Sequence, residues 1–470
     1  MLFNSVEFAF FLLVVLLLYW LVRPSRQNMV LVVASYVFYG LWDWRFLSLL
    51  WISTLADFFI GKALGRSSEE RRRKLLLMMS LSLNLGILGA FKYYGFFVDS
   101  ATNLLMAIGL EAQPATLNII LPVGISFYTF QTLSYTFDIY RRRIEPTTDL
   151  STFAIYVAYF PQLVAGPIER AQRLLPQLQR SRPPVETSLL RSGGLLILLG
   201  LFKKVAIADP VGVVVDSAFG ASSESNSATL VLGIVGFGIQ VYGDFSGYSD
   251  IARGTSRLFG IELMRNFEQP YLSRNISEFW RTWHISLSTW LHDYLYVPLG
   301  GNQRGAAMTY RNLLLTMVLG GLWHGAAWTY AIWGAMHGAL LAIHRRFGRS
   351  ATRAKPGVVG WRDAPGIIAT FAAVTLLWPF FRGRSLSHAI EYLGGLVQPT
   401  SGLPDPDQSF VVLIAAALVL TIDLAQRRSG KHAIILHWDP VARGIAYATM
   451  VLLVVLWAGG EAQPFIYFQF

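Results

Sequence analysis

The sequence predicts an all-α protein that crosses a membrane many times, and three observations carry that expectation. Hydrophobic residues make up 54% of the 470-residue chain and charged residues only 14%, with a mean hydropathy of +0.45. Soluble domains carry about 25% charged residues, so no soluble fold of this length hides so much apolar surface. Long apolar stretches recur from end to end. The basic residues fall in short clusters between those stretches, the distribution expected of cytoplasmic loops. A formal net charge of +11 therefore points to membrane topology and not to nucleic acid. The chain has no cysteine, which excludes disulfides, cysteine nucleophiles and cysteine–zinc sites.

The apolar stretches run over residues 3–22, 28–41, 46–64, 75–98, 119–137, 193–208, 228–243, 312–344, 366–381, 410–425 and 444–459. The first lacks the small-residue cleavage site of a secretory signal and reads as a retained anchor. Several are shorter than the ~20 residues needed to cross hydrocarbon, which predicts short or broken helices. No linker separates a soluble domain, so residues 1–470 read as one integral membrane unit with its motifs concentrated in 119–345.

Charge sets the expected orientation. The connections Arg66 to Lys74, Arg141–Arg143, Arg170 to Arg191, Arg345 to Lys355 and Arg427 to Lys431 are basic and are assigned to the cytoplasm. Asp99–Asn118 and Asp216–Thr229 hold no Lys or Arg and are assigned outside. Both termini then fall on the outer face, including the tail 461–470. The apolar segment Ser151–Ala165 has basic flanks on both sides, so it is expected to enter and leave one face. PQLVAGPIE at 161–169 supplies the Pro and Gly that such a re-entrant turn needs. There is no internal repeat of the kind that builds many transporters.

Residues 244–311 are too polar to span and too aromatic for an ordinary loop. Ile276, Phe279, Trp280, Trp283, Leu287, Trp290, Leu291, Tyr294 and Leu295 recur at helical intervals, which predicts an amphipathic helix at the interface. On that helix His284 points to the apolar face.

Within Asn312–His344 there is no Asp, Glu, Lys or Arg, yet three histidines occur. His324 lies at the centre, in LGGLWHGAAW (319–328). A buried packing histidine is one reading. An ionisable group in lipid is otherwise costly and usually functional, and histidine is the commonest general base; His324 is the expected catalytic centre. His284, in a similar Trp-His context, is a second catalytic candidate. Trp323 and Trp283, their neighbours, are candidates to line the site. His337 lies nearly four turns beyond His324 if the helix is continuous and is then too far to share the centre. His292 with Asp293 reads as a solvated or structural pair. His344, His388, His432 and His437 read as incidental. No helical metal-ligand pair appears, and no metal is expected. Asp244 and Asp250, in QVYGDFSGYSDIARG (240–254), either orient a substrate or order a turn near the site; six residues apart, they fall on different helix faces. There is no GxSxG elbow, Walker loop or dinucleotide fingerprint, and no bound cofactor is expected.

Taken together, PQLVAGPIE (161–169), DFSGYSD (244–250), FWRTWHISLSTWLHDYLYVPLGG (279–301) and GGLWHGAAWTYAIWGAMHG (320–338) resemble the membrane-bound O-acyltransferases. The likeness is to the bacterial branch that acetylates exopolysaccharides such as alginate, and it covers nearly the whole chain in consistent order. It implies a ring of about 10–11 tilted transmembrane helices, with re-entrant and interfacial helices, around a thin centre. It places the family's two characteristic histidines on His324 and His284. It further implies acetyl-CoA as a cytoplasmic donor, the bacterial inner membrane as location, and transfer to an exopolysaccharide, alginate or cellulose. The final transfer is expected to use a periplasmic acetyltransferase partner of the SGNH-hydrolase-like type, with membrane lipid as surroundings. A neutral His324 would take the acceptor proton while His284 steadies the oxyanion.

The tail FIYFQF (465–470) is either an aromatic interfacial anchor or something sharper. It resembles the C-terminal motif of a small partner peptide in teichoic-acid D-alanylation. Tyr467, its one hydroxyl, is then expected to reach toward His324 and carry the acetyl group as an ester. Two other function classes compete: a transporter of an acyl donor or sugar without acyl chemistry, and a lipid or protein O-acyltransferase of the same family.

Overall fold

The computed structural model describes residues 1–111, 119–164, 166–182, 186–223, 225–348, 359–398, 402–458 and 463–468. All regular structure among them is helical. Six segments are long and apolar enough to cross a membrane: Pro24–Arg66, Glu70–Ala107, Ser227–Leu258, Trp361–Arg382, Pro406–Ser429 and Pro440–Trp457. The first two each contain two helices in series. The remaining apolar stretches form shorter or more polar helices, as their lengths predict. Val6, Phe10, Leu17 and Leu21 stay exposed on the helix Val6–Leu21, and Val441, Ile445, Leu452 and Val455 do so on Pro440–Trp457. Such one-sided apolar exposure is what lipid contact requires. The protein is a multi-pass membrane protein.

The chain packs as two compact units. One comprises Met1–Glu186 with Ser256–Leu263. Its centre is the helix Ile125–Tyr140, buried along nearly its whole length although rich in hydroxyls. Several of those hydroxyls bond internally, among them Thr132, Ser134 and Thr136. Ser80 Oγ donates to Asp57 at 2.5 Å and Asn84 Nδ2 donates to Asp57 at 2.7 Å, while Ser53 and Thr132 both donate to Asn84. One buried carboxylate thus ties together the helices Leu47–Arg66, Glu70–Leu88 and Ile125–Tyr140. Arg73, in the basic 66–74 cluster, is buried; its guanidinium donates to the carbonyls of Leu64, Ser67, Ile139 and Tyr140. It caps two helix C-termini, where cations are stabilised. Ser151–Ala165 forms two short helices, Leu150–Ala158 and Phe160–Leu163, almost wholly buried; residue 165 lies outside the described residues.

The second unit comprises Thr187–Thr255 with Met264–Phe470. Here the chain breaks in two places, the second of them against expectation. The apolar stretch 312–344 is not one helix. It ends one helix, Gly305–His324, and begins another, Trp328–Phe347, with Gly325 extended between them at φ −155°, ψ 147°. Glycines let the two arms close. A Cβ on Gly321 would run into the Tyr330 carbonyl oxygen, and one on Gly334 into that of Met317. The predicted amphipathic helix over 276–295 is likewise broken, into Ile276–Thr282 and Ile285–Leu291 followed by a π-helical turn at His292–Tyr296. The periodicity predicted the apolar face correctly but not the break, because the break depends on partners elsewhere in the chain.

The hairpin makes a prediction. Gly334→Val is expected to destabilise by about 1–3 kcal/mol, the usual range for overpacking against atoms that cannot move aside. Gly194→Ala, whose added Cβ meets no atom within 4 Å, is expected to leave stability unchanged or higher. Thermal unfolding of the two detergent-purified variants checks the contrast.

Candidate functional site

The hairpin places His324 at the C-terminal end of its first arm, and the break in the second motif places His284 beside it. The His284–His324 ring centroids are 6.3 Å apart. His284 is fully buried and sits at φ 43°, ψ 54°, in left-handed space that only glycine enters freely. Neighbours hold it there. Ile285 N–H donates to the Asn266 carbonyl at 2.9 Å, Ser286 N–H to the Asn266 side chain at 3.3 Å, and Asn266 Nδ2 to Ser249 Oγ at 3.0 Å. Such local strain costs on the order of 1–3 kcal/mol and persists only where its surroundings dictate it. Both ring nitrogens of His284 are buried without a hydrogen-bond partner among the described residues. Burial lowers its pKa to about 3, so the ring is neutral at neutral pH. His284→Gly is expected to melt a few degrees above His284→Ala, because glycine alone accepts the backbone conformation at no cost. Equal melting temperatures would show that the left-handed turn is not imposed on the chain.

The tail arrives at the same place. Residues Ile466–Phe468 form a single 3-10 turn, and the Tyr467 ring lies 5.6 Å from His324, 6.4 Å from His284 and 6.4 Å from Trp323. Phe245, from the helix Ser227–Leu258, packs on both His284 at 4.6 Å and Tyr467 at 4.7 Å. Trp323, Trp333 and Phe381 surround His324 edge-on at 5.1, 5.5 and 5.3 Å. Burial raises the Tyr467 pKa well above the ordinary phenol value, so its hydroxyl keeps its proton unless a base removes it. Gln469 and Phe470, the end of the predicted FIYFQF motif, lie outside the described residues.

Trp283 belongs elsewhere. It packs with Phe267, Phe279, Tyr271 and Trp378, at 5.1–5.9 Å, and braces the turn from behind. Asp244 and Asp250 point to different partners, as their spacing predicts. Asp244 accepts from the Ile466 backbone N–H at 2.7 Å and pairs with Lys204 at 2.9 Å. Asp250 pairs with Lys203 at 2.8 Å, His432 at 2.7 Å and Arg253 at 3.5 Å. His432 is therefore not incidental: it is buried on a carboxylate. His337 is held in an aromatic stack, accepting from Trp280 Nε1 at 3.3 Å. The helix continuity used to distance it from His324 does not hold, yet Trp333 stands next to both rings, 5.5 Å from His324 and 4.6 Å from His337. His292 is exposed and bonded to Asp293 at 2.6 Å, a solvated pair.

The residues missed in the sequence are Lys203 and Lys204. They stand as two adjacent cations inside the apolar stretch 193–208, a signal that belongs to no chemical motif. Among the described residues no group of three His, Cys, Asp or Glu side chains is arranged to hold a metal ion.

The second unit thus gathers two imidazoles and a phenol in its interior. The sequence matches the family model described as MBOAT, membrane-bound O-acyltransferase family, over residues 37–371. The chain belongs to that family and to its alginate-type branch, and it is a membrane-bound O-acyltransferase. It is 42% identical over 398 residues to the probable alginate O-acetylase AlgI of Pseudomonas putida, covering 84% of this chain and 80% of that protein. It is 35% identical over 431 residues to the peptidoglycan O-acetyltransferase of Helicobacter pylori, covering 84% and 80%. The teichoic acid D-alanyltransferase of Bacillus subtilis is 28% identical over 282 residues, covering 58% and 71%.

Proposed function

We propose that the protein moves acetyl groups from cytoplasmic acetyl-CoA across the bacterial inner membrane, for O-acetylation of an exopolysaccharide of the alginate kind. The observation that supports this most is the meeting of Tyr467, His324 and His284 within 6.4 Å of one another. His324 acts as general base. It takes the phenolic proton as the Tyr467 oxygen attacks the thioester carbonyl, and His284, neutral and with unspent hydrogen-bonding capacity, steadies the oxyanion. The C–S bond then breaks, and the imidazolium returns the proton to the departing thiolate. An acetyl ester remains on Tyr467 and free CoA leaves.

A phenol suits this step. Its ordinary pKa of about 10 lies near that of a thiol, about 8.5. An acetyl phenyl ester therefore keeps much of the thioester's transfer potential, which a serine ester would lose. A second hydroxyl on the outer side attacks the ester, and Tyr467 recovers its proton. That acceptor is supplied through a periplasmic SGNH-hydrolase-like transferase. Asp244 and Asp250 line the surroundings, and Trp323 fixes the His324 ring. The basic connections, placed in the cytoplasm, attract the CoA phosphates.

Purified protein incubated with radiolabelled acetyl-CoA tests the proposal. Release of free thiol with label retained on the protein is expected. A pure transporter gives neither, and label appearing directly on lipid favours a lipid acyltransferase.

A further inference from the structure

We propose that Lys204, with Asp209 and Asp244, is a backbone clamp that sets the register of the tail and so places Tyr467 at the histidines. The inference rests on the relay role of Tyr467. It adds positioning residues to that relay, two of which, Lys204 and Asp209, carry no evident chemistry of their own.

Lys204 is 1% exposed. A buried ammonium is stable only where counter-charges and acceptors answer it. Its charge is answered by the carboxylates of Asp209 at 2.8 Å and Asp244 at 2.9 Å, and it donates to the Gln463 carbonyl oxygen at 2.9 Å. Asp244 turns its other oxygen to the Ile466 N–H at 2.7 Å. The tail is therefore gripped at two main-chain points, the Gln463 carbonyl and the Ile466 amide. Between them Phe465 stacks on Tyr248 at 4.2 Å. Tyr467 is the next residue after the second grip. A slip of one residue would present Ile466 or Phe468, neither of which has a hydroxyl.

The seat is built for a close-fitting chain. A Cβ on Gly212 would lie 2.8 Å from Gln240 Nε2 and 3.7 Å from the Gln463 side chain. The lysine sits on a π-helical turn, Phe202–Ala208, which is a common device for aiming a side chain at a function. The clamp touches no reacting atom. Its role is positioning, through the tail.

The test exploits the absence of native cysteine. Ile466→Cys introduces one thiol at a position 1% exposed while preserving the backbone N–H. In the full-length detergent-purified protein, maleimide labelling of that thiol is expected to be slow. Adding Lys204→Met is expected to raise the rate about tenfold or more, while Lys204→Arg, which keeps the charge and donors, raises it much less. Because Lys204→Met leaves two facing carboxylates and can disturb the core, a second lesion is placed on the tail itself. Ile466→Pro removes the amide donor and fixes φ, and Ile466→Ala controls for the lost side chain. It is expected to lower acetyl label on the tail at least tenfold with the KM for acetyl-CoA unchanged, whereas Ile466→Ala lowers it little. Unchanged labelling in Lys204→Met, or equal acetylation of Ile466→Pro and Ile466→Ala, overturns the clamp. Tail release without any loss of acetyl transfer leaves the clamp standing and overturns the relay.

Discussion

His324→Ala is expected to lower thiol release from acetyl-CoA by roughly 10²–10⁴, the range that a positioned general base supplies. The residue is 6% exposed, at the C-terminal end of a helix whose partner arm closes against it through glycine contacts. The Tyr467 phenol, its pKa raised by burial, does not ionise unaided near neutral pH. In the proposed reaction the imidazole 5.6 Å away, centroid to centroid, removes that proton. His284 offers no second base, because its lowered pKa of about 3 makes it a poor proton acceptor. The loss should therefore not be recovered by the neighbouring ring. Thiol release by wild type and variant, after matching for monodispersity and melting temperature, gives the comparison. Equal rates would remove His324 from the chemistry.

Tyr467→Phe is expected to abolish both the acetylated tail and transfer to polymer. The substitution is conservative for packing. A phenylalanine ring keeps the contacts with Phe245 at 4.7 Å and Phe465 at 5.5 Å, and only the oxygen is lost. Mass spectrometry of the trapped wild-type tail peptide should show a gain of about 42 Da, the acetyl ester of the covalent intermediate. The variant should show none. Polymer acetylation at the wild-type level by Tyr467→Phe would mean that acetyl passes directly to an external hydroxyl, with the tail serving only as an aromatic plug.

The two lesions separate the steps. His324→Ala is expected to slow the release of CoA itself. Tyr467→Phe leaves the base in place and removes its acceptor, so slow hydrolysis of acetyl-CoA by water is the residual activity expected.

The class of protein was legible in the sequence, because it rests on residue type. An apolar chain with clustered basic loops has to be solvated by lipid. A histidine in a stretch without any other charge has to be explained. What was not legible is instructive in physical terms. The break at His284 was hidden because periodicity reports which side of a helix is apolar, and that side stays apolar across a break. The turn at Gly325 was signalled by its glycines, yet a helix and a hairpin have the same composition; only the close contact of Gly321 and Gly334 with opposing carbonyls distinguishes them. The buried pairs of Lys203 with Asp250 and Lys204 with Asp244 join residues 40 or more positions apart, beyond any local pattern.

The sequence by itself determined that this is an all-helical, multi-pass membrane enzyme of the O-acyltransferase family, since hydropathy, charge placement and motif order survive without coordinates. Only the tertiary structure decided that His284 stands in a left-handed turn, that His324 ends one arm of a hairpin, and that the tail packs against both. Those facts depend on long-range burial of main-chain and charged groups. A buried ammonium must find its counter-charges and acceptors wherever the fold provides them, and here the Lys204 acceptor belongs to the backbone of a segment 259 residues away.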